Sequence, residues 1–276
     1  MPTALDIMRR FAVLSAIAAP LLGASAQAAE MKTYQFFVRN GPVAGQEAEY
    51  NRFYDQEHAP DVVSIPGFVR AQRAVLSDEH LIPAKVVPPV PKYLVVYTIR
   101  TDDLQAVKAE IARRLTTGET RRSDTVDRTM ADSFYYEVLP APLTVPLREP
   151  TGAKPGPMQT YWHLVFTLPV EEKEAEFNTW YDQVHSPDML KTAGIVAAQR
   201  GRLADPGRAN PPPTKYIALF TMKTSDMSAL ARQFAADQPQ RRRGDVMVSG
   251  TGYTYRLIGP ELKGDDVRKA RAARGK

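Results

Sequence analysis

A chain of 276 residues with 43% hydrophobic and 24% charged side chains is long enough to bury a sizeable core and too apolar to be disordered. It contains no cysteine, which excludes a disulfide scaffold, a thiolate nucleophile and a lipidated N-terminal cysteine. Its formal charge of +5 is concentrated at the ends and does not describe a basic folded surface.

The first residues are expected to be an export signal. Arg9 and Arg10 precede an apolar run from Phe11 to Gly23, too short to span a bilayer, and Ala24, Ala26 and Ala28 offer small-residue cleavage positions. Residues 1–28 are therefore expected to be removed, giving a periplasmic or secreted protein with no integral membrane segment after processing. Export in turn makes nucleic acid an improbable partner despite the run Arg241, Arg242, Arg243.

The folded part begins with a β-rich run from Met31 to Arg39, halted by Asn40, Gly41 and Pro42. From Ala44 the apolar spacing becomes helical, with Ala48, Tyr50, Phe53, Tyr54 and His58 on one face. Pro60 stops that helix or opens a short new turn through Asp61 and Val62. Pro66 and Gly67 turn the chain into a strand from Phe68 to Leu76, and the proline-rich loop from Ser77 to Pro91 follows. A strand from Tyr93 to Arg100 leads to a helix capped by Thr101 or Asp102, with Leu104, Val107, Ile111 and Leu115 inward. Thr116 to Met130 is polar and carries no periodicity, and Asp132 to Leu139 reads as the closing strand. The order is βαββαβ.

Proline-rich residues 141–157 read as a semi-rigid linker, and the same order then recurs. Strand Met158 to Leu168 precedes a helix with Phe177, Trp180, Tyr181 and Val184 inward. Strand Gly194 to Leu203, the loop from Ala204 to Thr214, strand Lys215 to Lys223, a helix capped near Ser225 and strand Gly252 to Ile258 complete it. Two units are expected, residues 31–140 and 158–260, with a basic tail over 261–276 that frays or forms a solvated helix. Both place their longest proline-rich loop between the second and third strands, where it can serve as the rim or lid of a pocket. The fold class expected is α+β. Two ferredoxin-like βαββαβ repeats, each with a bare sheet face, pack sheet to sheet as an intramolecular pseudo-two-fold barrel.

The repeat is also chemical. Ala48 to Arg73 and Ala175 to Arg200 align without a gap at an offset of 127 residues. Tyr54, Asp55, Gln56, His58, Pro60, Asp61, Gly67, Gln72 and Arg73 become Tyr181, Asp182, Gln183, His185, Pro187, Asp188, Gly194, Gln199 and Arg200. The run Y-D-Q-E-H-A-P-D, followed by P-G-F and A-Q-R, resembles the EthD-like family of the dimeric α/β-barrel superfamily, whose signature is Tyr-x-x-x-His-x-Pro at the end of the first helix. The resemblance spans both units. It implies an eight-stranded barrel with small-molecule cavities between each sheet and its helices, and it brings forward His58 and His185 with Tyr54 and Tyr181 beside them.

A neutral imidazole exchanges a proton near neutral pH, and a phenol or carboxylate can orient it, so His58 and His185 are candidate general acids or bases; the competing role is a helix-end cap. Asp61 and Asp188 are candidate ligand-binding groups. Asp55 and Asp182 are expected to face solvent or to pair with Arg73 and Arg200. At the constant offset Gln35 becomes Trp162 and Phe36 becomes His163, while Glu57 becomes Val184 and Arg70 becomes Ala197. The two pockets are therefore expected to differ, with the second as the seat of any chemistry, or the first, through its extra charges, if His163 faces the barrel interior. His163 would join His185 and Tyr181 if it points to the helices, and Trp162 is a further candidate ligand contact. Histidines at 58, 80, 163 and 185 have no compact metal-ligand spacing, and no haem-peroxidase signature is present; neither metal nor cofactor is expected. The partner expected is a small molecule, bound to a monomer with pseudo-two-fold symmetry or to a homo-oligomer. Two functions fit these residues: a cofactor-independent isomerase, cyclase or lyase acting by proton transfer on a small apolar or aromatic oxygenated compound, and a non-catalytic periplasmic binding or accessory protein using the same cavities.

Overall fold

The structure, a computed structural model, describes residues 30–86, 89–140, 142–209 and 213–274. The expected export signal lies outside the described residues. No described helix is long and apolar enough to cross a membrane.

The first half of the chain runs β1 (Lys32–Pro42), α1 (Glu47–Phe53), a π-helical turn (Tyr54–His58), α2 (Ala59–Val63), β2 (Phe68–Leu76), β3 (Tyr93–Thr101), α3 (Leu104–Thr117) and β4 (Val126–Val138). After a short strand β5 (Leu143–Thr144), the second half repeats that order: β6 (Gln159–Pro169), α4 (Glu174–Trp180), a π-helical turn (Tyr181–His185), α5 (Ser186–Met189), β7 (Ile195–Asp205), β8 (Tyr216–Thr224), α6 (Met227–Asp237) and β9 (Met247–Lys263). A last helix, α7 (Gly264–Arg274), ends the described chain. The strands hydrogen-bond in the order β4-β1-β3-β2-β9-β6-β8-β7-β5, and β4 also pairs with β7, which closes eight antiparallel strands into a barrel.

Strand alternation explains the three cores. Successive side chains on a strand point to opposite faces. Phe37, Leu94, Phe134 and Tyr136 of the first half therefore meet Leu164, Phe166, Ile217 and Tyr255 of the second inside the barrel. The opposite faces of the strands carry Phe36, Tyr97 and Ile99 under α1–α3, and Phe220 and Met222 under α4–α6. Inside the barrel the Arg39 guanidinium donates to Asp132 from Nε at 2.9 Å and sits 5.3 Å from the Phe134 ring and 5.4 Å from that of Phe166. A charge in an apolar interior is tolerated when it is paired in this way. Because both halves supply that interior, neither can bury it alone. Residues 30–140 and 142–274 produced separately are expected to associate with each other or aggregate; a cooperatively folded, monomeric half by sedimentation and denaturant unfolding would contradict this.

Pro60 and Pro187 do not end the helices that precede them. Proline within an α-helix lacks an N–H and presses on the carbonyl four residues earlier. The chain instead widens for one π turn, in which the N–H of Ala59 bonds Tyr54 O and that of Ser186 bonds Tyr181 O, and continues as α2 and α5. The glycines that follow, Gly67 and Gly194, have φ of 90° and 93°, and a Cβ on Gly194 would lie 2.8 Å from Leu230 Cδ1.

Other boundaries differ from expectation for identifiable reasons. Asp103 and Asp226 cap α3 and α6 by accepting the N–H groups of Ala106 and Ala229, because these residues have the extended backbone of a cap. Both closing strands are longer than expected, since each pairs with a strand of the other half as well as its own: β4 with β7, β9 with β2. Linker residues pack: Leu143 and Val145 cover the second-half core, and Arg148 Nη2 donates to Lys191 O at 2.7 Å. The tail is docked, with Arg268 donating to Val63 O at 3.2 Å and Phe68 O at 3.1 Å and Arg271 paired with Asp61.

Candidate functional site

Two cavities occupy equivalent places between sheet and helices. The first, about 330 Å³, is lined by Phe36, Asn40, Phe53, Tyr54, His58 and Tyr97, among others. The second, about 290 Å³, is lined at the matching positions by His163, Thr167, Trp180, Tyr181, His185 and Phe220. Each π turn directs its tyrosine and histidine to the same side, with rings edge to face at 5.0 Å for Tyr54–His58 and 4.7 Å for Tyr181–His185. His163 thus points to the helices and shares one cavity with Tyr181 and His185.

The scaffold under each π turn is the same. Arg73, 5% exposed, donates to Asp55 Oδ1 at 2.5 Å and to Asn51 Oδ1 at 2.7 Å between the rings of Tyr50, Tyr54 and Tyr93. Arg200, also 5% exposed, donates to Asp182 Oδ1 and Asn178 Oδ1, each at 2.7 Å, between Phe177, Tyr181 and Tyr216. The arginine fork thus fixes the helix to the strand in both halves.

Polar pairing separates the cavities. In the first, the Tyr50 hydroxyl donates to Asn40 Oδ1 and Asn40 Nδ2 donates to the Tyr54 hydroxyl, both at 2.5 Å. His58 Nδ1–H donates to Arg121 O at 2.8 Å, which fixes its tautomer. In the second, Phe177 and Thr167 stand where Tyr50 and Asn40 stand in the first. The Tyr181 hydroxyl and Thr167 Oγ1 are buried without a partner, as are His163 Nε2, Trp180 Nε1, and Arg241 Nε and Nη1. Buried polar atoms are nearly always paired; six lie unpaired in this lining, against one, the Tyr97 hydroxyl, in the first.

His163 Nδ1 lies 3.1 Å from the Thr254 hydroxyl, which already accepts the N–H of Leu81. When that hydroxyl donates to Nδ1, the neutral ring carries its hydrogen on Nε2, facing the cavity. Space for that edge depends on Gly252, where a Cβ would lie 2.9 Å from His163 Cε1. Burial holds His163 down to about 3 and His185 down to about 4, the latter helped by the Arg241 cation; burial also lowers His58. Burial raises the Tyr181 phenol, which therefore remains a donor.

These shifts have a consequence for stability. The folded state binds fewer protons than the unfolded state, whose histidines titrate near 6.5, so the stabilisation is fully present above that pH and lost as pH falls toward 4 and 3. Between pH 7 and pH 5 a buried histidine of this kind is expected to cost about 2 kcal/mol. His163→Phe, which installs the residue of the first cavity, is expected to flatten the pH dependence of the urea midpoint over that interval; an unchanged slope would contradict it.

The two aspartates proposed for ligand binding are engaged elsewhere. Asp61 accepts from Arg121 Nε at 2.8 Å and Nη2 at 2.9 Å and pairs with Arg271, while Asp188 accepts from Arg242 Nη2 at 2.9 Å and Lys191 at 2.8 Å. Neither lines its cavity. Trp162 is on the face of β6 opposite His163, where it packs against the barrel interior and lines a separate space of about 420 Å³ with Gln35, Gln72 and Gln199. Among the described residues no group of three His, Cys, Asp or Glu could hold a metal.

Each proline-rich loop covers the cavity of the other half. Ile82 and Lys85, from the loop between β2 and β3, line the second cavity, and Arg208, from the loop between β7 and β8, lines the first. The cause is strand exchange: Leu81 N–H bonds Thr254 Oγ1 on β9, and Arg208 N–H bonds Ser133 O on β4.

No protein-family model and no curated protein matches the sequence. Solved structures do. A candidate monooxygenase from Fusobacterium nucleatum is 10% identical, with 86% of this chain and 99% of that one covered and a TM-score of 0.48. A candidate monooxygenase from Lactobacillus acidophilus is 8% identical, with 84% and 97% covered and a TM-score of 0.46. Chlorite dismutase from Candidatus Nitrospira defluvii is 10% identical, with 86% and 94% covered and a TM-score of 0.45. Likenesses this remote carry no argument about chemistry.

Proposed function

We propose that the chain is an exported, tandemly duplicated EthD-like protein of two ferredoxin-like units, and that its second cavity moves a proton on a small apolar or aromatic oxygenated compound without a cofactor. The observation that carries the proposal is the meeting of His163, Tyr181 and His185 around one cavity in which His163 Nε2 and the Tyr181 hydroxyl are buried and unpaired. His185, neutral at physiological pH, takes the proton from a carbon next to a carbonyl. The Tyr181 hydroxyl and His163 Nε2–H donate to the carbonyl oxygen as negative charge develops there. Apolar surroundings of Met189, Phe220 and Phe234 strengthen both bonds. Return of the proton to another carbon gives an isomerase; expulsion of a leaving group from the same enolate gives a lyase.

Solvent deuterium incorporation tests this. The mature protein in D2O is expected to exchange the acidic C–H of cyclic ketones or lactones, read by NMR, and His185→Gln to lower the exchange by about a hundred-fold or more. Saturable binding without exchange would instead favour a binding or accessory protein using the same cavity.

A further inference from the structure

We propose that the ligand of the second cavity carries a carboxylate or a comparable oxyanion, and that the Arg241 guanidinium is its anchor. This rests on the second cavity being the functional one and adds the class of compound it takes. The lining holds Lys85, Arg241, Arg242 and Arg243 and no aspartate or glutamate. Arg242 is committed to Asp188 through both side-chain and backbone N–H groups.

Arg241 is different. Its Nη2 donates to Thr192 Oγ1 at 2.5 Å and its guanidinium lies 3.9 Å from the Phe234 ring centre, yet Nε and Nη1 are buried and unpaired. The nearby carboxylates are already occupied. Asp237 accepts from Thr192 at 2.6 Å and Gln233 at 2.8 Å, and Asp188 from Arg242 and Lys191. A partly buried cation with two unpaired donor nitrogens is costly unless an anion completes it; Nε and Nη1 lie on opposite edges of the guanidinium, so a carboxylate bonds one of them together with the remaining Nη2 hydrogen. His163 Nε2–H and the Tyr181 hydroxyl supply further unpaired donors in the same cavity. The first cavity is lined by the exposed Arg122, Arg128 and Arg208 and holds one buried unpaired donor, the Tyr97 hydroxyl, but no arginine with buried unpaired nitrogens. Arg121 and Arg242 each bond the α2 or α5 aspartate through backbone N–H and side chain, so the residue before each is equivalent, and Thr120 stands in the place of Arg241.

The experiment titrates the mature protein with benzoate and 1-naphthoate and with their methyl esters, following the imidazole resonances of the four histidines. The anions are expected to shift His163 and His185 and to bind at least about ten-fold more tightly than the esters. Arg241→Gln is expected to remove that difference, and Arg241→Lys, which keeps the charge without the fork, to retain part of it. Esters that shift the same two histidines with equal or greater affinity would overturn the anion anchor while leaving the cavity assignment intact. If no probe shifts His163 or His185 at millimolar concentration, both are overturned.

Discussion

His185→Gln is expected to lower deuterium exchange or turnover by about a hundred-fold or more, the scale of a lost general base, whereas His58→Gln is expected to leave it within about two-fold. The difference follows from the residues around each imidazole. In the first cavity Phe36 replaces the second histidine and stacks on Tyr135 with ring centres 4.2 Å apart. The Tyr54 hydroxyl is held by Asn40 and the His58 Nδ1–H by a main-chain carbonyl, which leaves the Tyr97 hydroxyl as the one buried unpaired donor of that lining. In the second cavity the corresponding hydroxyl is unpaired. Tyr181→Phe is expected to act in the same direction by about ten-fold to a hundred-fold, and Tyr54→Phe to affect stability only. A larger loss from His58→Gln would reverse the assignment, and no loss from either would leave both histidines structural.

The largest effect on stability is expected at the arginine forks. Arg200→Ala removes three hydrogen bonds, a cation packed against three rings and the volume of a long side chain among Phe177, Tyr181 and Tyr216. A loss of about 3–4 kcal/mol is expected from these together. Arg200→Lys keeps the charge but not the fork and should lose about half of that. Asp182→Asn should lose least, about 1 kcal/mol, because the Asp182 side chain is 58% exposed and water replaces much of its role. Guanidinium chloride midpoints of the three variants check the order. A Lys variant less stable than the Ala variant would mean that the fork is not what holds the helix to the strand.

These forks also explain why the doubled motif overstated the chemistry. Of the residues repeated at the offset of 127, Asp55, Arg73, Asp182 and Arg200 fasten helix to strand, and Asp61 and Asp188 fasten the segments after α3 and α6. Tyr54 and Tyr181 are identical in sequence yet differ in use, because Asn40, which bonds the Tyr54 hydroxyl, and Thr167, which stands in its place and bonds neither, lie outside the aligned block. Strand alternation was legible in the run from Gln159 to Pro169. It separates Trp162, toward the barrel interior, from His163, toward the helices, although only the packed sheet fixes which face is which.

Other parts of the site could not be read from spacing. Arg241 stands opposite Thr120 at an offset of 121 rather than 127, in a stretch without periodicity, and its importance lies in partners it lacks. The exchange of proline-rich loops depends on β9 pairing with β2 and β4 with β7, a long-range choice that no local pattern encodes. Signals for a loop at Ser77 to Pro91 were strong, but only strand order makes Ile82 and Lys85 neighbours of His163. The π turns are a further case. Pro60 signals a break, and at Pro60 and Pro187 alike the chain absorbs the proline by one wider turn that aims tyrosine and histidine together.

The inequivalence of the two cavities is tested most directly by a crystal structure of the mature protein soaked with a ring compound that it exchanges or binds. Density for the compound is expected in the second cavity, against His163, Tyr181 and His185 with an oxygen within hydrogen-bond reach of His163 Nε2 or the Tyr181 hydroxyl, and none in the first. Density against Phe36, Tyr54 and His58 with the second cavity vacant would contradict it.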